Sequence, residues 1–231
     1  MGGVLLQGRG RHKQEGVLVL PPPHDSGAKI GRLLFHEAVP LFSYIDEALK
    51  KQKPPLVIQI GSSSGRDIAY FAKNFPSLDC IGTDIYSEVC QFASTQWNYK
   101  NLHFVPCAAH DTWLLTAGCP GKPNTLFFAQ GSLQYVYPEY LDLFFKNVSK
   151  FVSGATVVLC EPGYEINGSP DTLRGSAPLG GFSYNHDYTY YASKNHFDIV
   201  VSRIIRPYIP YSAYPIRKGT VHYFMVAKNR G

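Results

Sequence analysis

The alternation of short apolar segments with segments of helical periodicity constrains the fold of this 231-residue chain more than any other feature. The early apolar segments are apolar on both faces, which is typical of parallel strands covered by helices on both sides. We therefore predict an α/β fold with a doubly wound, mostly parallel sheet. The predicted strands are residues 56–60, 79–84, 102–106, 125–129, 155–160, 197–205 and 221–228. The predicted helices are residues 30–51 with a kink or break at Pro40, 68–75, 87–97, 138–151 and 187–195.

Composition narrows the class of protein. Aromatic residues make up 14% of the chain and charged residues only 17%, which excludes a chain disordered throughout. No run of about 18 apolar residues is present, so we expect no membrane-spanning helix. The five cysteines are odd in number and lack a C-x-x-C pair, which argues against a disulfide framework and against a structural zinc site. The first residues lack the pattern of a signal peptide, so we expect a cytoplasmic protein.

The net charge of +5 is unevenly distributed. Residues 1–53 hold 8 basic and 5 acidic residues, residues 54–197 hold 8 and 11, and residues 198–231 hold 6 and 1. A nucleic-acid-binding protein usually carries a continuous basic surface, so nucleic acid is not the expected partner. One exception is the stretch 206–218, where tyrosines recur every third residue among prolines and arginines. This stretch can stack on bases or sugars, or it packs on its own domain or on a partner subunit, which leaves a homodimer open.

Two regions are expected along the chain. Residues 1–29 are rich in glycine and proline and predict an extended arm. Residues 30–231 contain all the predicted helices and strands and predict one domain.

The main chemical signal is a small-residue turn followed by an acid at the end of the next strand. The turn Gly61-Ser62-Ser63-Ser64-Gly65 joins the first predicted strand to a helix. Its small residues let a ligand approach the backbone, and the helix that follows offers unpaired N–H groups. Asp84 ends the second strand and should stand at the same edge of the sheet, where a carboxylate can accept hydrogen bonds from both hydroxyls of a ribose. Together they predict a nucleoside site.

The spacing of this turn does not fit the dinucleotide fingerprint G-x-G-x-x-G. It resembles motif I of the class I S-adenosylmethionine-dependent methyltransferases, with Gly61, Ser63 and Gly65 at the three glycine positions. Residues 80–85, 102–109, 129–136 and 161–162 are similar to later motifs of the family, and the resemblance covers about residues 30–229. It implies a seven-stranded sheet of order 3-2-1-4-5-7-6 with an antiparallel last strand, and S-adenosyl-L-methionine as cofactor.

The resemblance also implies which residues contact the cofactor. Gln59 stands where the family usually has an acid that reaches the cofactor's amino group, and Thr125 stands where many members have an acid. The backbone of Ala108 or Ala109 would serve on the adenine side, where an acid is frequent in the family. The implied contact residues are Gln59, Gly61, Ser62, Ser63, Gly65, Asp84, Ile85, Ala108, Ala109, Ala129 and Gln130.

Three residues are candidates for the chemistry of methyl transfer. His186 follows the predicted long loop 161–186, where a histidine of near-neutral pKa can act as a general base. Glu161 follows the fifth strand and would face the acceptor, and Gln134 lies in the segment that lines the transfer site. For each of them the alternative is a structural role in packing or at a strand end.

The expected activity is methyl transfer from S-adenosylmethionine to a small hydroxylated metabolite or a sugar-like acceptor. The acidic middle of the chain and its aromatic-rich loops favour a small molecule. Three alternatives stay open: a binding protein that has lost catalysis, an RNA methyltransferase, and a nicotinamide-dependent dehydrogenase. The replacement of family acids by Gln59 and Thr125 favours the first, and the basic tail favours the second.

Overall fold

The computed structural model describes residues 40–117, 124–164, 175–180, 182–205 and 220–230. The predicted arm 1–29 and the tyrosine-rich stretch 206–218 lie outside the described residues, as do the first ten residues of the predicted helix 30–51. The kink or break predicted at Pro40 falls at the boundary of the described part.

One seven-stranded sheet forms the centre of the described residues. Its strands are β1 (Leu56–Ile60), β2 (Asp79–Asp84), β3 (Leu102–Pro106), β4 (Leu126–Gln130), β5 (Thr156–Tyr164), β8 (Phe197–Ile205) and β9 (Thr220–Asn229). They lie in the order β3-β2-β1-β4-β5-β9-β8. Strands β1 to β5 are parallel to their neighbours within this set, and β9 is antiparallel to both β5 and β8. This arrangement confirms the predicted doubly wound sheet and its antiparallel last strand.

Helices cover both faces of the sheet, as its two-sided apolar pattern requires. Phe127 and Phe128 are neighbours on β4 and fully buried, and because side chains alternate along a strand they enter different cores. Phe128 packs against Phe71 with ring centroids 5.5 Å apart, and Phe127 packs against Phe144 at 6.2 Å. The described helices are α1 (Pro40–Gln52), α2 (Arg66–Asn74), α3 (Ser87–Gln96), α4 (Leu114–Ala117), α5 (Pro138–Phe151) and α6 (Tyr188–Lys194). None of them is long and apolar enough to span a bilayer.

The prediction of one long loop over residues 161–186 is wrong. Strand β5 continues to Tyr164, and two short strands, β6 (Ser176–Gly180) and β7 (Ser183–His186), form an antiparallel hairpin. Proline and glycine at positions 162 and 163 suggested a break, yet both lie in the register of β5 with β9. Gly163 is needed there because a Cβ atom would lie 2.2 Å from the ring of Tyr223 and 2.5 Å from Asn185 on β7.

The carboxyl ends of β1, β2 and β4 lie at one edge of the sheet because these strands are parallel and adjacent. The segments that follow them therefore gather at this edge. They are the turn 61–65, Asp84 with the residues after it, and residues 131–136, which we call the β4 loop.

Candidate functional site

The small-residue turn and the carboxylate of Asp84 meet at the carboxyl edge. The N–H of Ser63 donates to Oδ2 of Asp84 at 3.2 Å, and the N–H of Tyr86 donates to Oδ1 at 3.3 Å. Asp84 is half-buried, so its oxygens are held in place by backbone donors while part of the group faces solvent. Ser63 has φ +48°, in the left-handed region that favours glycine, which explains in physical terms why the resembling motif has glycine at this position.

Two aromatic residues that sequence reasoning missed support the turn. Trp97, which follows α3, donates from Nε1 to the carbonyl of Ser64 at 2.7 Å. The ring of Phe104 on β3 packs behind Gly65, where an added Cβ would lie 2.4 Å from it. The only sign of this support in the sequence is that Trp97 lies at the end of a predicted helix. Helical periodicity does not indicate which group its indole N–H contacts. These contacts hold the turn on one side, and its other side remains at the carboxyl edge of the sheet.

Gln59 does not face the edge. Its buried Oε1 accepts a hydrogen bond from the N–H of Ile68 at 3.0 Å, in the first turn of α2. Helix α2 begins after Gly65 without a side-chain cap, so its first N–H groups need an acceptor from elsewhere, and Gln59 supplies one. The predicted contact of this side chain with a cofactor's amino group is therefore not available through the amide oxygen.

Glu161 anchors the β4 loop from below. Its carboxylate accepts hydrogen bonds from the N–H groups of Ser132 (3.2 Å), Leu133 (3.1 Å) and Gln134 (3.4 Å). Complete burial raises the pKa of Glu161 to about 8, although the N–H donors act in the opposite direction. The expectation that Glu161 faces the acceptor is corrected: the carboxyl group is directed into the loop, and the structure gives it a positioning role.

Gln134 is directed back into the same loop. Its Nε2 donates to the carbonyl of Gly131 at 3.0 Å, and the residue is half-buried. The loop is thus closed by its own amide side chain on one side and by Glu161 on the other. In this arrangement the amide of Gln134 shapes the loop and does not extend from it.

His186 is not a near-neutral base, which corrects the sequence-based prediction. Its Nε2 lies 3.1 Å from the carbonyl of Val136, which can only accept, so this nitrogen carries the proton. Its Nδ1 lies 2.5 Å from the hydroxyl of Ser176 and accepts from it, and Ser176 lies 2.8 Å from the hydroxyl of Tyr191. Burial lowers the pKa of His186 to about 4. Both ring nitrogens are engaged, and the ring ties β7 to the β4 loop.

Replacing His186 with glutamine should reduce the loss of stability at low pH. The neutral ring is preferred in the folded state, so stability is present above the unfolded pKa of 6.5 and is lost as pH falls toward 4. This contribution amounts to about 3 kcal/mol at 1.36 kcal/mol per pKa unit. Urea unfolding at pH 7 and pH 4.5 measures it. Glutamine keeps a donor for Val136, so an equal loss in both proteins would contradict the assignment.

Gly61 lies where the turn meets the β4 loop. It has φ +68°, and an added Cβ would lie 2.4 Å from Cβ of Ser132, whose hydroxyl donates to the carbonyl of Ile60 at 2.8 Å. Gly131 offers a matched control, because it has the same φ of +68° but no atom within 4 Å of an added Cβ.

Gly131→Ala should cost only the backbone strain of a left-handed alanine, about 1–2 kcal/mol. Gly61→Ala should cost a further roughly 1–3 kcal/mol for the overpacking against Ser132. Chemical denaturation of both variants measures the difference. Equal destabilisation would show that the close approach of the two loops is not maintained in solution.

The remaining predicted residues have different environments at the edge. Ala129 is fully buried in the core and Ala109 is buried, so only their backbone atoms are available to a ligand. Ala108 is half-buried, and Ile85 is 65% exposed beside Asp84. The Oγ of Ser62 is buried and lies close to Gly82. A Cβ atom added to Gly82 would lie 2.8 Å from this oxygen.

Gln130 ends β4 with a buried amide oxygen. Among the residues that the structure describes, nothing donates a hydrogen bond to its Oε1. A buried acceptor without a donor costs about 1–3 kcal/mol, so this position favours a ligand that brings a donor to the edge.

No protein-family model matches the sequence, and no curated protein matches it. Solved structures do match. The geranyl diphosphate C-methyltransferase from Streptomyces coelicolor, crystallised with S-adenosyl-L-homocysteine, Mg²⁺ and geranyl diphosphate, has a TM-score of 0.63 at 14% identity, with 90% of this chain and 87% of that chain covered. The 1,6-didemethyltoxoflavin-N1-methyltransferase from Burkholderia thailandensis, with S-adenosylhomocysteine, has a TM-score of 0.54 at 15% identity, with 91% of each chain covered.

A third match is the O-methyltransferase of a trans-AT polyketide synthase multienzyme from Brevibacillus brevis, in complex with S-adenosyl-L-homocysteine. It has a TM-score of 0.54 at 11% identity and covers 75% of this chain and 66% of that chain. These three proteins are named for different methylation reactions, so the likeness concerns the fold. With its sheet order and these structural matches, the chain has the fold of the class I S-adenosylmethionine-dependent methyltransferases.

Proposed function

We propose that the chain binds S-adenosyl-L-methionine at the carboxyl edge of β1, β2 and β4 and methylates a small hydroxylated acceptor. The observation that carries this proposal is the contact between the small-residue turn and Asp84, in which Ser63 donates to the carboxylate at 3.2 Å. That contact presents a fixed carboxylate beside an open backbone turn at one edge. Three solved structures of this fold were crystallised with S-adenosylhomocysteine, the demethylated product of this cofactor.

The residues at the edge fit the parts of this cofactor. The half-buried carboxylate of Asp84 suits the two ribose hydroxyls, since each oxygen retains acceptor capacity beyond its backbone donor. Exposed Ile85 offers an apolar surface beside it for the adenine ring. The unsatisfied amide oxygen of Gln130 suits the ammonium group of the amino acid part. The contacts at Asp84 and Ile85 use atoms that are exposed or half-buried, whereas the contact at Gln130 requires its buried amide oxygen to turn toward the edge.

When bound, the cofactor supplies an activated methyl group on a sulfonium. The task of the chain is then to orient the acceptor oxygen and to exclude water. Correct alignment can supply roughly 7–11 kcal/mol of the barrier. The β4 loop is suited to this task because Glu161 and His186 hold it by hydrogen bonds at both ends.

A binding protein without catalysis is the second candidate. It is favoured by one observation: the three side chains predicted to take part in chemistry, Gln134, Glu161 and His186, are all engaged with the backbone of the β4 loop. An active enzyme would then depend on an acceptor that needs little help from a base.

Incubation of the purified protein with S-adenosylmethionine carrying an isotopically labelled methyl group tests the proposal. The panel contains hydroxylated aromatic compounds, sugars and RNA, and mass spectrometry locates the label. We expect label on a hydroxyl of a small molecule, and much less label with Asp84→Asn at a cofactor concentration below the dissociation constant of the variant. Label on RNA alone would support an RNA methyltransferase, and cofactor binding without any transfer would support the binding protein.

A further inference from the structure

A continuous set of aromatic rings borders the β4 loop. We call it the aromatic strip, and it runs from the turn after β3 to strand β7. Ring centroids lie 4.6 Å apart between His110 and Tyr140, 6.4 Å between Tyr140 and Tyr137, 5.8 Å between Tyr137 and Tyr184, and 5.5 Å between Tyr184 and His186. These separations are those of stacked and edge-to-face pairs. The five rings are therefore in contact, each with the next, and form one continuous surface.

The centre of the strip is open. Tyr137 is 51% exposed and Tyr140 is 44% exposed, and Tyr135 on the adjoining β4 loop is 59% exposed. Clustered large aromatic side chains with this much free surface mark a binding site more often than isolated ones do. Their remaining ring faces and edges are available to a further ring.

The strip is attached to the candidate cofactor edge. His186 at its end bonds the carbonyl of Val136, which lies between Tyr135 and Tyr137 in the chain. The other end of the same loop packs Ser132 against the turn at Gly61. A molecule lying on the strip is thus next to the loop that contacts the cofactor turn.

The charge around the strip selects against anionic ligands. The described residues 102–117 and 131–145 contain neither lysine nor arginine, although Lys146 follows on α5, and Lys194 at the end of α6 pairs with Asp142 at 2.8 Å. They do contain carboxylates, among them Asp111 and Glu139. Phosphate recognition relies on cationic side chains or helix N-termini. Helix α5 begins directly after Tyr137, but Glu139 in its first turn places a negative charge there, so a dianionic acceptor is disfavoured relative to an uncharged one.

A sugar is also a poor match. Sugar recognition requires polar side chains that are free to bond several hydroxyls, and two of the nearby amides are engaged with the backbone. Gln134 donates to Gly131, and Asn147 donates to the carbonyl of His110 at 3.0 Å. In addition, His186 is not free to act as a base at this loop, because both of its ring nitrogens are in hydrogen bonds. A phenolic hydroxyl, with a pKa of about 10 like that of tyrosine, ionises far more readily than a sugar hydroxyl.

We propose that the aromatic strip binds the acceptor and that the acceptor is an uncharged planar ring bearing a hydroxyl group. This inference rests on the proposed function only for the transfer step, in which the acceptor oxygen bonds to the methyl carbon, the carbon–sulfur bond breaks, S-adenosylhomocysteine leaves and the phenolic proton goes to solvent. It replaces the sugar-like acceptor by a phenolic one.

Three matched probes test the class of ligand on the full chain. Naphthol presents a planar ring, decahydronaphthol presents a saturated ring system of the same connectivity, and naphthyl phosphate adds a dianionic group. Binding is measured by saturation-transfer NMR and calorimetry, with and without S-adenosylhomocysteine. We expect naphthol to bind roughly two- to tenfold more tightly than decahydronaphthol, since ring stacking exceeds simple burial by about 0.5–1.5 kcal/mol per pair. We also expect it to bind more tightly than naphthyl phosphate, since Asp111 and Glu139 repel a dianion. Equal binding of decahydronaphthol, or tighter binding of naphthyl phosphate or of a methyl glucoside, would overturn the proposal.

Variants locate the bound ring. Tyr137→Ala should weaken naphthol binding by roughly two- to tenfold because it removes the central ring of the strip, whereas Tyr137→Phe, which keeps the ring, should bind as the wild type does. Phe92→Ala removes an aromatic side chain of similar exposure from α3, away from the strip, and should have no effect. Unchanged binding in folded Tyr137→Ala would contradict the assignment.

Two further outcomes are distinguishable. If S-adenosylhomocysteine binds and naphthol does not, the inference about the strip fails and the proposed cofactor stands. If naphthol binds and S-adenosylhomocysteine does not, the proposed cofactor is wrong and the strip remains a binding site for a planar ring. If sedimentation shows a dimer that Tyr137→Ala converts to a monomer, a second copy of the chain covers the strip and the acceptor assignment is wrong.

Discussion

Glu161→Ala should destabilise the protein by about 3 kcal/mol and release the β4 loop. The variant leaves the N–H groups of Ser132, Leu133 and Gln134 without their acceptor, and each buried unsatisfied group costs about 1–3 kcal/mol. Part of this cost is offset because a carboxyl group no longer has to be buried. Urea unfolding gives the free energy. Hydrogen exchange at the three amides should accelerate more than exchange in the core strands.

Glu161→Gln removes the ionisable carboxyl group and keeps one acceptor oxygen. Its oxygen still accepts from the loop, so we expect a smaller loss than with alanine. Because the pKa of Glu161 is raised to about 8, its contribution to stability is fully present below the unfolded value of 4.5 and is lost as pH rises through 8; glutamine should remove this dependence. Glu139→Ala, an exposed acid at the start of α5, is the control. If it loosens the loop as much as Glu161→Ala does, Glu161 is not the anchor.

Asp84→Asn should weaken binding of S-adenosylhomocysteine by roughly ten- to a hundredfold or more. Hydrogen bonds to a charged group contribute about 1.5–3 kcal/mol each; the proposal gives Asp84 two ribose hydroxyls, and asparagine keeps an oxygen for one of them, so the loss corresponds to at least one such bond. The fold should persist, since asparagine keeps an oxygen acceptor for Ser63 or Tyr86. Calorimetric titration of both proteins at the same pH measures the change.

Asp79→Asn is the matched control for this change. Asp79 begins the strand that Asp84 ends, so it carries the same charge at the opposite edge of the sheet. Cofactor affinity should be unchanged in this variant. A comparable loss in both would point to net charge or strand stability and not to a ribose contact.

The sheet could be predicted from the sequence because each strand and helix is recognisable from the pattern of its own residues. Apolar runs such as residues 56–60 are buried along their whole length, and helices α2, α3 and α5 follow from periodicity. The hairpin β6–β7 could not, because glycine and proline in residues 161–186 indicate a loop unless the pairing partners are known. Glycine is required at position 163 because Tyr223 packs over it, and that contact joins residues distant in the chain.

The location of the site could be predicted from the sequence, but the contacts of its individual side chains could not. The contact between Ser63 and Asp84 follows from parallel strands that end at one edge, so spacing is enough to anticipate it. The orientations of Gln59, Glu161 and His186 depend on which backbone groups lack partners, and this emerges only once the β4 loop and α2 are packed. Each of these side chains satisfies a backbone group, which a motif cannot reveal.

The central claim is that the turn 61–65 and Asp84 together bind an adenosyl cofactor, and titration of the wild-type protein tests it most directly. S-adenosylhomocysteine and NAD are titrated separately by calorimetry. We predict saturable binding of one S-adenosylhomocysteine per chain and none of NAD at the same concentrations. Absence of S-adenosylhomocysteine binding, or a preference for NAD, would contradict the account.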